Sequence, residues 1–210
     1  LTCAACSGTD VDFRDITITG AAAPVSGTRL GDCKGNSGIT FPAGVSKYWN
    51  LVAGGNWSAV GWATTGGGTP VVNNFPLAQD TAVFQSTGLN SGSTVTINAN
   101  YNIGTIDMSA RTANTMTLAN PNTPAIYGNW INGTGTTLSM LGTLTFAGRG
   151  SQTITSAGIT FTNQFTINTP NGSVTLQDAF ICSNPNGNAL RIDAGTLDAN
   201  NYNLTMSASS

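Results

Sequence analysis

The chain has 210 residues, a formal net charge of −2 and only 8% charged residues. It contains no His and no Glu, which excludes a Ser-His-Asp or Cys-His catalytic site and most zinc, haem and copper sites. Seven scattered Lys and Arg suit nucleic acid poorly, and no apolar run approaches the ~18 residues of a membrane span. We therefore expect no cofactor, no nucleic-acid partner and no membrane insertion.

The composition favours an all-β protein. The chain carries 32 Thr, 23 Asn, 17 Ser and 26 Gly, which together make up nearly half of it. Thr, Val, Ile and aromatic residues fit strands, and Gly, Asn, Asp and Pro fit turns, whereas the strong helix formers Glu and Lys are absent or scarce. The 40% of hydrophobic residues fall in short repeated runs, which indicates a packed core.

Residues 1–48 predict N-terminal β coils. Short strands are expected at 1–5, 12–19 and 39–41, with Gly-rich turns between them. Ile16 and Ile18 alternate with polar residues, which is the pattern of a half-buried strand.

Three aspartates in this first region form a candidate calcium site. Asp10 and Asp12 lie on one face of the predicted strand and Asp15 follows them, and carboxylate oxygens are suitable calcium ligands. The Gly and terminal Glu of an EF-hand loop are missing, so a solvated strand face with Arg14 as ionic partner is the favoured interpretation.

The four cysteines predict disulfides or buried thiols. Cys3 and Cys6 form a C-x-x-C pair, while Cys33 and Cys182 stand alone. A zinc knuckle needs four ligands, and a thioredoxin-like pair needs a βαβ context that this sequence lacks. The disulfide candidates are Cys3 or Cys6 with Cys33.

Residues 49–92 predict a Trp- and Gly-rich insertion or capping loop. Trp49, Trp57 and Trp62 fall within a short stretch of Gly-rich chain, with Tyr48 and Phe75 nearby. The favoured interpretation is that these rings cap the end of the core or pin the loop against it. The alternative is that Trp49, Trp57 and Trp62 contact glycans, because aromatic faces suit the apolar faces of sugar rings.

Residues 93–210 predict β-solenoid repeats. Short alternating segments run from 94–99 to 202–206 with Asn-Gly, Asn-Pro and Gly-Arg-Gly turn signals between them, and none has helical period. A β-sandwich needs longer, regularly spaced hairpin strands, whereas a right-handed parallel β-helix stacks coils of roughly 20 residues with very short strands. The short strands and recurring Thr and Asn favour the β-helix over the sandwich.

Asp178, Asp193 and Asp198 lie in this region and are the candidates for a polysaccharide-cleaving site. Paired carboxylates are the signature of a glycosidase, and stacked coils can bring such residues together. Each of the three sits beside a turn, where Asp is common for backbone reasons, and only Arg191 lies near as a base. No catalytic residue is therefore predicted, and the chain is not expected to be an enzyme.

Several strings in a fixed order carry a resemblance. They are GDCKGNSGITF at 31–41, YW at 48–49, GNWS at 55–58, GWAT at 61–64, DTAVF at 80–84, GSQTITSAGITF at 150–161, SVTLQDA at 173–179 and GTLDAN at 195–200. The chain thereby resembles repetitive β-solenoid proteins of bacteriophage tail fibres and other virion appendages, and related bacterial surface adhesins. The resemblance covers most of the chain and offers no catalytic residues to carry over.

The resemblance implies a structural virion protein, a segment of a tail fibre or spike involved in host-surface attachment. It implies self-association, as a homotrimer by analogy with other fibres. It also implies contact with other virion proteins and with a host-surface glycan, and an extracellular location. A bacterial secreted or cell-surface adhesin or filament subunit is the alternative, and a polysaccharide depolymerase is a third. Members of the family are much longer, and the chain begins at Leu1, so a fragment of a longer protein is expected.

Overall fold

A computed structural model describes residues 1–2, 4–185 and 187–208 of the chain. Across these residues the protein is all-β, with no helix, and winds into a β-solenoid of about nine turns. In chain order the strands are β1 Gly8–Thr9, β2 Asp12–Phe13, β3 Gly27–Thr28, β4 Gly31–Asp32, β5 Ser46–Trp49, β6 Gly55–Asn56, β7 Trp62–Ala63, β8 Thr81–Val83, β9 Ser93–Thr96, β10 Asn102–Ile103, β11 Thr105–Asp107, β12 Met116–Asn120, β13 Ala125–Ile126, β14 Trp130–Ile131, β15 Thr136–Met140, β16 Leu144–Phe146, β17 Ser151–Thr155, β18 Phe165–Leu176, β19 Phe180–Asn184, β20 Leu190–Asp198 and β21 Leu204–Ala208.

The solenoid has three faces, which the chain visits in turn in each coil. Face 1 contains β5, β8, β11, β14 and β17, followed by the second halves of β18 and β20. Face 2 contains β6, β9, β12 and β15, and later β19 and β21. Face 3 contains β10, β13 and β16, followed by the first halves of β18 and β20.

Neighbouring coils pair in parallel, which decides between the two predicted architectures. On face 1, Ile106 pairs with Trp130 and Trp130 with Ile154, so that equivalent residues follow one another at 24-residue steps, as Thr105 and Asn129 also do. Among the described strands the single antiparallel pair is β5 with β7. Sandwiches are built from antiparallel strands, so the predicted parallel β-helix is confirmed and the β-sandwich alternative is wrong.

The core is one continuous column inside the coils. Its residues come from every second position of a strand, because side chains alternate between the inside and the outside of the coil. In β15, Thr136, Leu138 and Met140 point inward and are buried, while Thr137 and Ser139 are exposed. Because the strands of each face are stacked in register, the inward residues of successive coils touch, and one apolar cluster extends through the coils from Trp49 to Ala189. The free energy gained by removing these apolar side chains from water is the main contribution to the stability of the solenoid.

Polar side chains at the corners tie one coil to the next. The Thr105 hydroxyl accepts a hydrogen bond from the Asn129 backbone N–H at 3.0 Å, and the Asn129 amide oxygen accepts one from the Thr153 N–H at 2.9 Å. Asn also takes the left-handed backbone conformation at corners, as at Asn171 and Asn200, with φ of 60° and 50°. The Asn-rich composition therefore serves both the corner geometry and the hydrogen bonds between coils.

Residues 1–40 form a second, smaller parallel structure, here called the N-terminal ladder. Its strand β1 pairs with β3, and β2 pairs with β4, both in parallel. The predicted strands at 1–5, 12–19 and 39–41 are shorter than expected: β2 covers Asp12–Phe13, and only isolated bridges occur at Thr2, Thr17 and Ile39. β5 already belongs to face 1 of the solenoid.

The N-terminal ladder lies across face 3. Asp12 accepts a hydrogen bond from Asn102 at 2.8 Å, and Asp15 forms an ion pair with Arg149. Asn102 and Arg149 belong to different coils, with Tyr127 of an intermediate coil between them. Asp12 contacts one coil, and Asp15, three residues later, contacts a coil further along the solenoid. The ladder strands therefore run along the solenoid axis and cross the solenoid strands beneath them.

Candidate functional site

The three tryptophans of the insertion form one buried cluster at the N-terminal end of the solenoid. Trp49 and Trp62 lie opposite each other in the β5–β7 pair with ring centroids 5.0 Å apart, and Trp57 packs on Trp62 at 4.8 Å. Phe84 contacts all three rings. All four side chains are at most 1% exposed. The structure therefore corrects the glycan-contact interpretation of Trp49, Trp57 and Trp62, because their rings fill the end of the core and offer no face to a sugar.

Arg111 is a fully buried charged residue that the sequence did not single out. Its Nη1 donates to the backbone oxygens of Gln85 and Leu89 at 2.9 and 3.1 Å, and its Nη2 donates to that of Thr115 at 2.8 Å. Burial lowers the pKa of its guanidinium from the usual value. Arg111 thus fastens the end of the Trp-rich segment to the next coil. The amino-acid sequence around Arg111 contains no pattern that would distinguish it from an arginine on the surface.

The three aspartates of the candidate calcium site are each bound elsewhere. Asp10 accepts a hydrogen bond from Arg29 Nε at 2.6 Å, Asp12 accepts one from Asn102, and Asp15 pairs with Arg149. Among the described residues, no group of three or more His, Cys, Asp or Glu side chains is placed to hold a metal ion. The structure therefore corrects the calcium interpretation of Asp10, Asp12 and Asp15. Asp12 and Asp15 attach the N-terminal ladder to the solenoid, and Asp10 holds Arg29 within the ladder.

The cysteines that the structure describes are free thiols. Cys6 is exposed, whereas Cys33 and Cys182 are buried. The structure does not join Cys6 to Cys33, and Cys3 lies outside the described residues, so the disulfide prediction is corrected for Cys6 with Cys33. Burial raises the pKa of Cys33 to about 12 and that of Cys182 to about 11.

Asp178, Asp193 and Asp198 act as local hydrogen-bond acceptors. The Asp178 carboxylate accepts the backbone N–H groups of Ser156 and Ala157, both at 2.7 Å, and so closes a corner between two coils. Asp193 accepts a hydrogen bond from Arg191 at 2.6 Å, and Asp198 accepts one from the backbone of the following turn at 2.8 Å. These contacts give each carboxylate a structural role.

A cleft of about 190 Å³ lies where the N-terminal ladder meets the solenoid. The Arg29 guanidinium lies 4.4 Å above the Phe75 ring and also bonds Asp10. The polar groups of the cleft are engaged with one another across the junction, so its arrangement serves to hold the ladder in place. The residues that line it are Asp10, Asp12, Arg29, Phe75, Pro76, Leu77, Tyr101 and Asn102.

In the last described coil, core-facing positions are in contact with solvent. Ile192 of β20 and Leu204 of β21 occupy inward positions of the last coil, yet both are exposed. Among the described strands, β20 pairs with β18 and β21 with β19, and no strand lies beyond them. Sequence reasoning predicted strands at both positions.

Comparisons with protein-family models, with curated proteins and with solved structures found no match to this chain. Within the described residues there is no helix of the length and apolar character needed to cross a membrane. The functional argument therefore depends on the solenoid itself and on its surfaces.

Proposed function

We propose that the chain is a structural, non-catalytic segment of a phage tail fibre, spike or other virion appendage that holds or forms a host-recognition surface. The observation that carries this proposal is the single apolar column that runs from Trp49 to Ala189 through coils paired in register. Face 1 stacks seven strands or half-strands at ~4.8 Å spacing, so the column is roughly 30 Å long. Such a body transmits force along its axis through backbone hydrogen bonds.

The chemistry of the chain supports a role outside the cell. The sequence has no His and few charged residues. Polar side chains such as Asn129 and Asp178 hold corners together by accepting backbone hydrogen bonds. A body built in this way depends little on ionic strength, because exposed ion pairs contribute little to its stability.

The proposed partners are copies of the chain, other virion proteins and a host-surface glycan. Lateral association into a homotrimer is part of the proposal, since apolar side chains such as Val72 and Leu141 are exposed on the outside of the protein. The alternative function is a secreted or cell-surface bacterial adhesin. Such an adhesin would share all these physical features and would differ from a virion protein only in its location.

The location of the native protein separates these two functions. Antibodies raised against the purified chain are used for immunogold electron microscopy of purified virions and for immunoblots of a bacterial cell-envelope fraction. Labelling of fibres or spikes on the virion is the expected result. Labelling confined to the cell envelope contradicts the virion assignment and supports the adhesin.

A separate assay tests the non-catalytic part of the proposal. The purified chain is incubated with host capsule and lipopolysaccharide, and released oligosaccharides are measured by mass spectrometry. We expect no release by the wild type. Release that is lost in Asp178→Ala or Asp193→Ala would show that the chain is a depolymerase.

A further inference from the structure

Lys47 occupies a core position in the first coil of the solenoid. The residues that follow it in the register of face 1 are all 0% exposed: Ala82, Ile106, Trp130 and Ile154. Trp49, two residues further along β5, lies on the same side of the strand and fills the core. A lysine therefore stands where the later coils place apolar side chains.

The amine of Lys47 has an uncharged partner. Its Nζ donates a hydrogen bond to Oδ1 of Asn74 at 2.5 Å, in a partly buried setting. Among the described residues, no carboxylate lies within ion-pair distance of this Nζ. A partly buried ammonium that faces an amide rather than an acid carries a desolvation cost, and its conversion to an uncharged group removes that cost.

The side-chain amide of Asn74 is held at both of its polar atoms. While Oδ1 accepts from Lys47, Nδ2 donates to the backbone oxygen of the buried Trp62 at 2.9 Å. Because an ammonium only donates and a carbonyl only accepts, the two contacts fix which end of the amide faces the amine. The carbonyl bond is ~1.2 Å long, so Nζ lies at most ~3.7 Å from Cγ, close to the separation from which a nucleophile attacks.

Asp80 fixes the approach of the two segments. Its side chain is buried, and its carboxylate accepts the backbone N–H groups of Val45 and Leu77, both at 3.0 Å. Val45 lies two residues before Lys47, and Leu77 lies three residues after Asn74. Lys47, Asn74 and Asp80 line one cavity of about 250 Å³, and a carboxyl group in the same cavity can carry protons from one nitrogen to the other.

We propose that Lys47 and Asn74 join in an intramolecular isopeptide bond once the chain has folded. Nζ of Lys47 attacks Cγ of Asn74, a bond forms between these two atoms, and the bond from Cγ to Nδ2 breaks. Of the three protons on the lysine ammonium, one stays on the new amide nitrogen and two leave with Nδ2, so that one ammonium ion is released. The reaction needs no oxidant, metal or further reactant, and its product is an uncharged amide.

The bond closes a covalent loop between residues that are 27 apart in the sequence. This loop contains Trp49, Trp57 and Trp62, so the cross-link ties the tryptophan-rich segment to the first strand of face 1. Like a disulfide, it restricts the unfolded chain and thereby favours the folded one. The inference is independent of whether the protein belongs to a virion.

Mass spectrometry of the purified full chain under denaturing conditions tests the proposal. The wild type is expected to be lighter than its sequence by one ammonia. Lys47→Arg and Asn74→Ala should each have the full mass of their sequences, because the first substitution replaces the amine by a guanidinium, which stays protonated, and the second removes the amide. Lys34→Arg is the matched control: Lys34 is about half exposed and pairs with Asp32, so this variant should keep the deficit.

Trypsin digestion of the wild type locates the bond. Trypsin does not cleave after an acylated lysine, so the linked chain yields one peptide of residues 35–111, lighter by one ammonia. The unlinked chain yields two separate peptides, 35–47 and 48–111. Fragmentation of the longer peptide should show residues 47 and 74 joined. This measurement does not depend on the folding of any variant.

The proposal is overturned by any of three results. The first is a folded wild type that has the full mass of its sequence. The second is an ammonia deficit that persists in Lys47→Arg, which would arise from cyclisation of an asparagine onto its own backbone. The third is complete cleavage after Lys47 in the wild type.

Discussion

At the scale of single residues, the two buried cysteines respond most clearly to solution conditions. Cys33 of the N-terminal ladder packs against Tyr127 and Ala147 of the solenoid, and Cys182 lies in the apolar core of the solenoid. Burial disfavours the thiolate, so the pKa of Cys33 is raised from 9.0 to about 12 and that of Cys182 to about 11. Burial also raises the pKa of Tyr127.

These shifts predict a loss of stability at alkaline pH. Above pH 9 the thiols of the unfolded chain lose their protons while the folded chain keeps them, so the unfolded state is favoured as pH rises towards 11 or 12. Each thiol should lower the free energy of unfolding by about 1.4 kcal/mol per pH unit in this window. Urea unfolding between pH 7 and pH 11 measures the slope.

Two variants control this experiment. The double variant Cys33→Ala, Cys182→Ala should unfold with a flatter pH dependence than the wild type. Cys6→Ala should leave the slope unchanged, because Cys6 is exposed in the folded protein. An identical slope in the wild type and the double variant would contradict the assignment to buried thiols.

Residue-level features differ in how far the sequence predicts them. The absence of His and the alternation of Thr with apolar residues follow from composition and period. For the cysteines the sequence left disulfides and buried thiols open, and Cys33 and Cys182 are buried thiols. The sequence could not decide between the two, because Tyr127, which packs on Cys33, comes from a coil far along the chain. Arg111 was not predicted, because its three carbonyl partners come together only when the coils stack.

At the scale of elements, Arg111 is the residue on which one corner depends. Replacing it by Met keeps a long side chain but removes every donor, so the carbonyl groups of Gln85, Leu89 and Thr115 lose a partner. We expect Arg111→Met to lower the free energy of unfolding by about 3 kcal/mol, measured by urea unfolding. Amide exchange in residues 85–92 should become faster.

The control for this substitution is Lys34→Met. Lys34 is about half exposed and forms a surface ion pair with Asp32, so its loss should change stability by less than about 1 kcal/mol. If Arg111→Met were as stable as the wild type, the buried guanidinium would not be holding the corner.

Strand prediction succeeded where one coil resembles the next. The segment expected at 94–99 contains most of β9, and the one expected at 115–118 overlaps β12. In residues 1–48 the predicted strands were too long, because the ladder pairs only two residues at a time between Gly-rich turns. Period and turn signals locate strands, but pairing with neighbours decides how far each strand extends.

At the scale of the whole molecule, the placement of the N-terminal ladder was beyond sequence reasoning. It depends on contacts such as Asp12 with Asn102 and Asp15 with Arg149, which lie 90 and 134 residues apart. No local pattern encodes a structure that lies crosswise on face 3. The coils of the solenoid, in contrast, repeat at short range and were predictable as a class.

Tyr127 connects the ladder to the solenoid, and its removal should release one from the other. Its ring packs against Cys33 and lies 5.9 Å from the guanidinium of Arg14. In Tyr127→Ala we expect amide exchange to accelerate in residues 8–32 and to stay slow in residues 93–176, as measured by mass spectrometry.

The matched control for this variant is Tyr202→Ala, at a tyrosine that is 44% exposed in the last described coil. It should leave exchange in residues 8–32 unchanged. Equal acceleration over the whole chain in Tyr127→Ala would instead show that ladder and solenoid unfold as one unit.

The closed tryptophan-rich end also has a consequence for how the chain acquires its shape. Ribosomes release the amino terminus first, so the segment that seals the column emerges before the coils that follow it. Partners in successive coils are separated by little more than twenty residues, and each newly released turn meets a finished edge that serves as its template. The architecture therefore suits vectorial growth during synthesis, with the tryptophan-rich seal formed before the coils that stack on it.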